Sequence, residues 1–216
     1  MMLEGKYISD FTFLGKRNYI QAHELLDFTI QSIQQFYTIE NYLNISFFKV
    51  YEEVSTNIYL THNKEVNLKP LAEQKYFLNN SSNKVFLMPC NNHKIKKRCE
   101  NRVMPVQIDN CDYNFSGLGS LEKVDTFLEV MTSIVEVNKQ IHLLSIRNPD
   151  YDPKIRAVSF NNFDTYQSHD SMPLEVKIDC INRKSFRGVE YSISRVSWKR
   201  QKKEYRMEIC FSFKTK

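Results

Sequence analysis

The period of the hydrophobic residues changes along this chain, and this change is the feature that most constrains its fold. Between 174 and 180, and again between 205 and 213, apolar and polar residues alternate, which predicts half-buried antiparallel strands. Gly188 is expected to open a further strand between them. Before these strands, apolar residues recur at steps of three and four, which predicts a long helix with one apolar stripe. The stripe consists of Leu121, Val124, Phe127, Leu128, Met131, Ile134, Val135 and Ile141.

The first half of the chain has the same order of elements. A helix is predicted from about 21 to 37, after a short strand around Phe11 and Phe13. Strands are predicted at 47–60, 73–78 and 84–88, with a turn at 79–83. The helix is apolar on more than one face, since Phe28 and Ile30 lie outside its main stripe, and such helices are usually surrounded by other structure. The repeated order of elements suggests duplication of one unit.

These patterns predict an α+β protein built from two similar units. A length of 216 residues accommodates two units of roughly 100 residues each. We place the first unit at 1–92 and the second at 103–216. The polar, basic stretch at 93–102 is the expected linker between them.

Composition predicts a folded chain in a reducing compartment. Hydrophobic residues make up 42% of the sequence and aromatic residues 13%, which excludes a wholly disordered chain. No apolar run approaches the roughly 20 residues needed to span a bilayer, and the first residues do not resemble a secretory signal. The five cysteines are an odd number without framework spacing. A cytoplasmic location is therefore expected.

One segment carries a resemblance to a known family. Residues 113–125 read Tyr-Asn-Phe-Ser-Gly-Leu-Gly-Ser-Leu-Glu-Lys-Val-Asp, a glycine-rich turn before the predicted helix with a carboxylate on its first turns. This segment resembles the turn into the central helix of hotdog thioesterases, although no histidine accompanies the glycines and no asparagine opens the helix. With a sheet and a long helix occurring twice, the chain resembles the double-hotdog proteins of the acyl-thioester thioesterase and dehydratase superfamily.

The resemblance implies a site at the start of the second helix. Free backbone amides at a helix N-terminus can stabilise an oxyanion on a thioester carbonyl, so Gly117, Gly119 and Ser120 are the expected substrate-binding residues, with Ser120 as the helix cap. Asp125 would act as base or nucleophile. The alternative is that Asp125 is an ordinary polar residue at the helix edge. No cofactor is implied.

The first helix offers a second pair of candidate catalytic residues. His23 and Asp27 are four residues apart, so both project from one helix face, and a carboxylate can orient an imidazole for general acid–base catalysis. A dehydratase or hydratase would use such groups. An ordinary hydrogen bond on the helix surface explains the spacing equally well.

Basic residues are concentrated in two clusters, although the net charge is only +5. Such clusters attract phosphates or acidic proteins, but they are also common in solvated turns. A zinc site on Cys90, His93, Cys99 and Cys111 matches no strong spacing signature, so no metal is predicted. The clusters are Lys94, Lys96, Lys97, Arg98 and Arg102, and Lys199, Arg200, Lys202, Lys203 and Arg206.

Three functional hypotheses follow, in order of preference. The first is an enzyme that acts on acyl groups carried by coenzyme A or an acyl carrier protein, as thioesterase, dehydratase or hydratase, in lipid or polyketide-like metabolism. The second is a non-catalytic double hotdog that binds an acyl group or a partner protein. The third, a nucleic-acid-binding protein that uses the basic clusters, ranks last. A homodimer is compatible with all three.

Overall fold

The computed structural model describes the secondary-structure elements and part of the connections between them. The described residues are 7–14, 20–35, 41–47, 56–62, 70–78, 81–95, 98–99, 106–112, 115–124, 126–146, 155–163, 172–200 and 203–214. The chain divides into two compact units, Met1–Val103 (unit 1) and Met104–Lys216 (unit 2). Among the described residues each unit has one helix and an antiparallel sheet, so the predicted α+β class is confirmed.

Unit 1 contains helix α1 (Ala22–Gln34) and a sheet in the order β1-β4-β6-β5-β3. All neighbouring strands of this sheet are antiparallel. A separate pair of two-residue strands, β2 and β7, is parallel. The strands are β1 (Tyr7–Ile8), β2 (Phe13–Leu14), β3 (Asn41–Phe47), β4 (Thr56–Thr61), β5 (Ala72–Leu78), β6 (Ser81–Lys94) and β7 (Arg98–Cys99).

Helix α1 begins at a reciprocal cap formed by its own side chains. Glu24 accepts a hydrogen bond from the backbone amide of Gln21 at 2.7 Å, and the side chain of Gln21 in turn contacts the backbone at Glu24. These bonds satisfy amides that have no partner within the helix. Leu25, Leu26 and Ile33 are fully buried, as the predicted stripe requires. The helix ends at Gln34, and Phe36, predicted to continue it, lies outside the described residues.

Unit 2 contains helix α2 (Phe127–Ile146) and a sheet in the order β10-β13-β12-β11-β9-β8. Every pairing in it is antiparallel. The three longest neighbouring strands form the meander predicted from the alternating pattern. The strands are β8 (Gln107–Cys111), β9 (Gly117–Val124), β10 (Arg156–Phe163), β11 (Met172–Phe186), β12 (Val189–Arg200) and β13 (Lys203–Lys214).

The alternation at 174–178 in β11 and at 205–213 in β13 places inward-facing apolar residues in the core of unit 2. On β11, Leu174, Val176 and Ile178 are fully buried, whereas Glu175 and Lys177 between them are exposed. Strand β12 differs, because its inward residues near the start are serines, Ser192 and Ser194, followed by Val196 and Trp198. Val189, Tyr191 and Ile193, which identified this strand in the sequence, are only partly buried. The sheet of unit 2 therefore has a polar stretch on its inner face.

The start of helix α2 differs from the sequence-based prediction. The helix begins at Phe127, after Thr126, and not at Leu121 after Ser120. The hydroxyl of Thr126 accepts a hydrogen bond from the amide of Glu129 at 3.2 Å, and the Glu129 carboxylate accepts one from the amide of Thr126 at 3.0 Å. The sequence Thr-x-x-Glu is a capping box, and it marks the true start of this helix.

A bulge in strand β9 explains why the spacing of apolar residues predicted a helix that starts too early in the chain. Val124 pairs with Met172 and Leu121 with Leu174, so β9 advances three residues where β11 advances two. The extra residue lets Leu121 and Val124 face inward together, and both are buried. Their spacing of three residues matches a helix, although both lie in a strand. The predicted cap by Ser120 is therefore wrong, since Ser120 pairs with Glu175 and Gln107 inside the sheet.

The segment predicted as a linker contains strand residues at several positions. Strand β6 continues to Lys94, and Arg98 and Cys99 form β7. Residues 96–97 and 100–102 lie outside the described part of the chain. Neither described helix has the length and apolar content required to cross a membrane.

Candidate functional site

The predicted pair His23 and Asp27 lies in the first two turns of helix α1. His23 is buried, with 3% of its surface exposed, and Asp27 is half-buried on the following turn. The Asp27 carboxylate accepts a hydrogen bond from Gln31 Nε2 at 2.8 Å. Helix α1 therefore holds an imidazole inside unit 1 and a carboxyl group at the boundary between its interior and solvent.

Burial changes the acidity of this carboxyl group. Desolvation is the largest influence on Asp27 and raises its pKa above the ordinary value for aspartate, while the hydrogen bond from Gln31 acts in the opposite direction. A carboxyl group with a raised pKa retains its proton to higher pH, which is the property needed in a general acid. Asp27 therefore combines a carboxyl group of raised pKa with partial exposure to solvent.

The predicted site around the second helix is described only in part. Asp125 lies outside the described residues, so its role as base or nucleophile stays a prediction. Gly117, Gly119 and Ser120 were predicted to offer backbone amides at a helix N-terminus. That geometry is wrong, because all three lie in strand β9, between β8 and β11. Six residues lie between Ser120 and Phe127, the first residue of α2. The capping residue of this helix is Thr126.

The two glycines instead allow close packing in unit 2. A Cβ atom on Gly119 would lie 2.7 Å from Val137 Cγ1, and one on Gly117 would lie 2.4 Å from the backbone oxygen of Asn110 and 3.0 Å from Ile141 Cδ1. Side-chain atoms do not approach that closely without displacement. Gly117 and Gly119 therefore let helix α2 lie directly against β9, a packing role for which their lack of a side chain is sufficient.

Unit 2 also contains a buried histidine to which the sequence assigned no role. His142 is fully buried on α2, and its Nδ1 lies 2.7 Å from the backbone oxygen of Asn138. Since a carbonyl oxygen only accepts, Nδ1 carries the proton of the neutral ring. Nε2 then accepts a hydrogen bond from the hydroxyl of Ser192, 2.5 Å away on β12. Both ring nitrogens are satisfied within the core.

Aromatic side chains surround His142 and seal it from solvent. Phe115 stacks on the imidazole at 4.8 Å between ring centroids, with an interplanar angle of 14°. The ring centroids of Phe211 and Phe213 lie 5.5 and 5.8 Å from that of His142. On the outer side, the Arg183 guanidinium lies 4.2 Å from the centroid of Phe115. The arrangement is a three-layer stack of guanidinium, phenyl ring and imidazole.

This environment keeps His142 neutral. Desolvation by burial lowers its pKa from 6.5 to about 4, and the positive charge of Arg183 acts in the same direction, against the hydrogen bond to the Asn138 carbonyl. The geometry of a serine hydroxyl on an imidazole is also that of an activated nucleophile. Here both ring nitrogens of His142 are bonded and aromatic rings enclose them, so the pair serves as an internal hydrogen bond between α2 and β12.

Sequence reasoning could not have found this cluster. Its members come from the segment before β9, from α2, and from three strands, and their separations in sequence follow no local rule.

No group of three or more metal-ligating side chains occurs within the described part of the chain. The side chains of His93 and Cys99, two of the four residues considered for zinc, lie outside that part.

The comparisons with known proteins address the fold. No family model matches this sequence, and no curated protein matches it either. The structure of an inactive mutant of the CurJ dehydratase, in complex with a compound, superimposes with a TM-score of 0.53 at 8% identity, covering 94% of this chain and 84% of that one. The dehydratase domain from the CurJ module of the curacin polyketide synthase gives 0.51 at 9% identity, with 99% and 85% covered.

A third solved structure has a lower score. A protein assigned as an oleoyl thioesterase, from Lactobacillus plantarum, gives a TM-score of 0.49 at 7% identity, covering 97% of this chain and 95% of that one. Similarity at this level of sequence identity concerns the chain path and does not extend to particular residues. This chain has the hotdog fold of the polyketide synthase dehydratase domains.

Proposed function

We propose that this chain is an acyl-thioester processing enzyme, a dehydratase or hydratase in preference to a thioesterase, and that its two units form a double hotdog. The observation that carries the proposal is the superposition on two dehydratase structures over nearly the full length of this chain, with TM-scores of 0.53 and 0.51. The expected substrates are acyl groups on coenzyme A or on an acyl carrier protein.

The described titratable residues support acid–base chemistry. Dehydration of a 3-hydroxyacyl thioester removes a proton from the carbon next to the carbonyl and a hydroxyl group from the following carbon, which leaves as water after protonation. An imidazole is suited to the first step and a carboxyl group with a raised pKa to the second. His23 and Asp27 supply these two groups from one helix face. Asp125, immediately before the cap of α2, is the other candidate acid or base.

A non-catalytic binding protein is the second candidate function, and one observation favours it. Gly117 and Gly119 lie in a strand, so they do not provide the helix-terminal amides expected of an oxyanion-binding site.

The experiment is a turnover assay on saturated, 2-enoyl and 3-hydroxyacyl thioesters of coenzyme A and of a carrier protein. The proteins compared are wild type, Asp27→Asn, His23→Ala and Asp125→Asn, with Asp10→Asn as a matched control because Asp10 is an exposed aspartate of unit 1. Loss of a general acid or base typically reduces the rate by about 10²–10⁴-fold. We expect this loss in His23→Ala, Asp27→Asn and Asp125→Asn, and unchanged turnover in the control.

Thermal unfolding separates catalysis from folding. Asp27→Asn removes a carboxyl group whose ionised form is disfavoured by burial, while the new side chain can still accept the hydrogen bond from Gln31. Its melting temperature should therefore equal or exceed that of wild type at neutral pH. Undiminished turnover in a variant removes that residue from the mechanism. A wild type that binds acyl-coenzyme A but converts no thioester establishes the binding-protein alternative.

A further inference from the structure

The tip of the hairpin formed by β11 and β12 is the longest run of exposed residues in the described part of unit 2. Every residue from 181 to 188 is exposed, and we call this segment the hairpin tip. It contains two of the three large apolar side chains that stand out as exposed among the described residues, Phe186 at 60% and Ile181 at 44%. Exposed aromatic and aliphatic residues of this kind often mark protein interaction sites.

The hairpin tip is also strongly basic. Arg183, Lys184 and Arg187 are all exposed, and the segment contains no acidic residue. The Arg187 guanidinium lies 5.0 Å from the centroid of Phe186, so the charge is held beside the apolar surface. A flanking acid, Asp179, is already paired with Lys177 at 3.0 Å. The tip therefore presents positive charge around an apolar centre.

The backbone fixes how these side chains are presented. The ladder between the strands is paired out to Phe186 and Val189, and the two-residue turn, Arg187–Gly188, has φ values of 51° and 72°. Positive φ at both turn positions matches the twist of a tight β-hairpin. Lys184 pairs with Tyr191 across the two strands, and Phe186 pairs with Val189. All four side chains therefore lie on the same face of the sheet.

This face points away from helix α2. Ser192 on β12 contacts His142 of the helix, and Tyr191, its neighbour in the strand, must point to the other side of the sheet. Lys184 and Phe186 share the side of Tyr191, so the patch is not part of the core of unit 2. Its members are Lys184, Phe186, Val189 and Tyr191, with Arg187 at the turn.

We propose that the hairpin tip is a docking surface for an acidic protein, and, resting on the proposed function, that this protein is the acyl carrier that delivers the substrate. Positive charge steers an acidic partner to the surface, and Phe186 provides the apolar contact that a specific complex needs. Nucleic acid fits less well, because Arg187 covers one face of the Phe186 ring and limits base stacking.

The test measures binding of the full chain to purified acyl carrier protein, in both its apo and its holo form, by calorimetry at low salt. The variants are Lys184→Glu with Arg187→Glu, and Phe186→Ser. The control is Lys75→Glu, which reverses an exposed charge in unit 1. We expect Kd to rise about tenfold or more in the double variant and about tenfold in Phe186→Ser, with a change below about twofold in the control.

Apo and holo carrier should bind alike, because the proposed contact is with the protein surface and not with its prosthetic arm. Raising the salt concentration should weaken wild type more than the double variant. Unchanged melting temperatures confirm that the exposed substitutions leave the fold intact. Equal affinities in wild type and the double variant, or no binding of either carrier form by wild type, overturn the proposal.

The same samples distinguish this proposal from the proposed function. If wild type converts acyl-coenzyme A but ignores the carrier, the docking surface is refuted and the enzyme is not. If the carrier binds through the hairpin tip but no thioester is converted, the enzyme is refuted and the docking surface is not. Binding of a DNA or RNA duplex that depends on Lys184 and Arg187, without carrier binding, assigns the tip to nucleic acid and overturns the proposal.

Discussion

Helices α1 and α2 begin in the same way and then place their titratable side chains in different surroundings. Each helix starts with a reciprocal cap in which a glutamate three residues inside bonds back to the capping residue, Gln21 with Glu24 and Thr126 with Glu129. In α1, Asp27 remains half-buried and bonds to an exposed glutamine. In α2, His142 is fully buried and both its ring nitrogens are bonded inside the core.

Burial is the largest influence on both groups, yet it moves their pKa values in opposite directions. Because desolvation disfavours the charged form, it raises the pKa of the Asp27 carboxyl and lowers that of the His142 imidazole to about 4. Asp27 retains contact with solvent, whereas His142 is sealed by aromatic rings. The comparison identifies α1 as the helix with a candidate functional group and α2 as the helix with a structural one.

The largest expected effect comes from removing the imidazole in α2. His142→Ala creates a cavity among Phe115, Phe211 and Phe213 and leaves the buried hydroxyl of Ser192 without its acceptor. We expect a loss of about 4 kcal/mol in the free energy of unfolding of unit 2. Urea unfolding followed by tryptophan fluorescence measures it, since the single tryptophan, Trp198, is buried on β12 in the same unit.

The control for this prediction is His62→Ala. His62 is a partly buried histidine of unit 1 whose Nδ1 lies 3.0 Å from the Lys84 carbonyl oxygen. Its replacement should change the tryptophan transition by less than about 1 kcal/mol. A similar loss in both variants would mean that the tryptophan signal does not isolate unit 2. Full stability in His142→Ala would contradict the structural role of the imidazole.

The second prediction is a pH dependence with a defined sign. Between pH 6.5 and about 4 the unfolded His142 binds a proton that the folded protein excludes. The unfolded state therefore gains stability as pH falls, and unit 2 should lose about 3 kcal/mol across this range from His142 alone. The measurement is the difference between wild type and His142→Gln in urea titrations from pH 7 to pH 4. A constant difference would show that the buried imidazole does not titrate in this way.

The smallest predicted effect compares two glycines of unit 2. Alanine at Gly117 would place its Cβ 2.4 Å from the Asn110 carbonyl oxygen, so the backbone of β8 must move, at a cost of about 2 kcal/mol. Alanine at Gly188 meets no atom within 4 Å and costs only about 1 kcal/mol, from the positive φ of 72°. Both values come from chemical unfolding of the two variants. Equal costs would mean that close packing of β9 is not what requires Gly117.

The main elements of the fold could be predicted from sequence because their hydrophobic periods are long and regular. Buried residues alternate with more exposed ones from Tyr205 to Phe213 in β13 and from Leu174 to Ile178 in β11. The start of α2 could not be predicted from period alone, since the bulge between Leu121 and Val124 imitates a helical step. The local signal that identifies the start is the Thr126-x-x-Glu129 capping box.

The candidate site was less predictable than the fold. The spacing of His23 and Asp27 correctly indicates a shared helix face, but burial, which raises the pKa of Asp27, depends on contacts that the sequence does not display. The stack of Arg183, Phe115 and His142 joins residues from separate elements, and only the folded chain brings them together. Glycines at 117 and 119 suggested a substrate-binding turn because a packing glycine and a loop glycine look identical in a sequence.

The bulge in β9 also determines where this chain can change its length during evolution. Between Leu121 and Val124 the strand holds one residue more than its partner β11 needs for a continuous ladder. Deleting one of the two intervening residues restores a regular ladder and leaves Leu121 and Val124 on the same inward face. A deletion anywhere else in β9 reverses the faces of all residues on one side of it. Homologous chains should therefore lose a single residue at 122–123 while the sheet and the position of α2 are maintained.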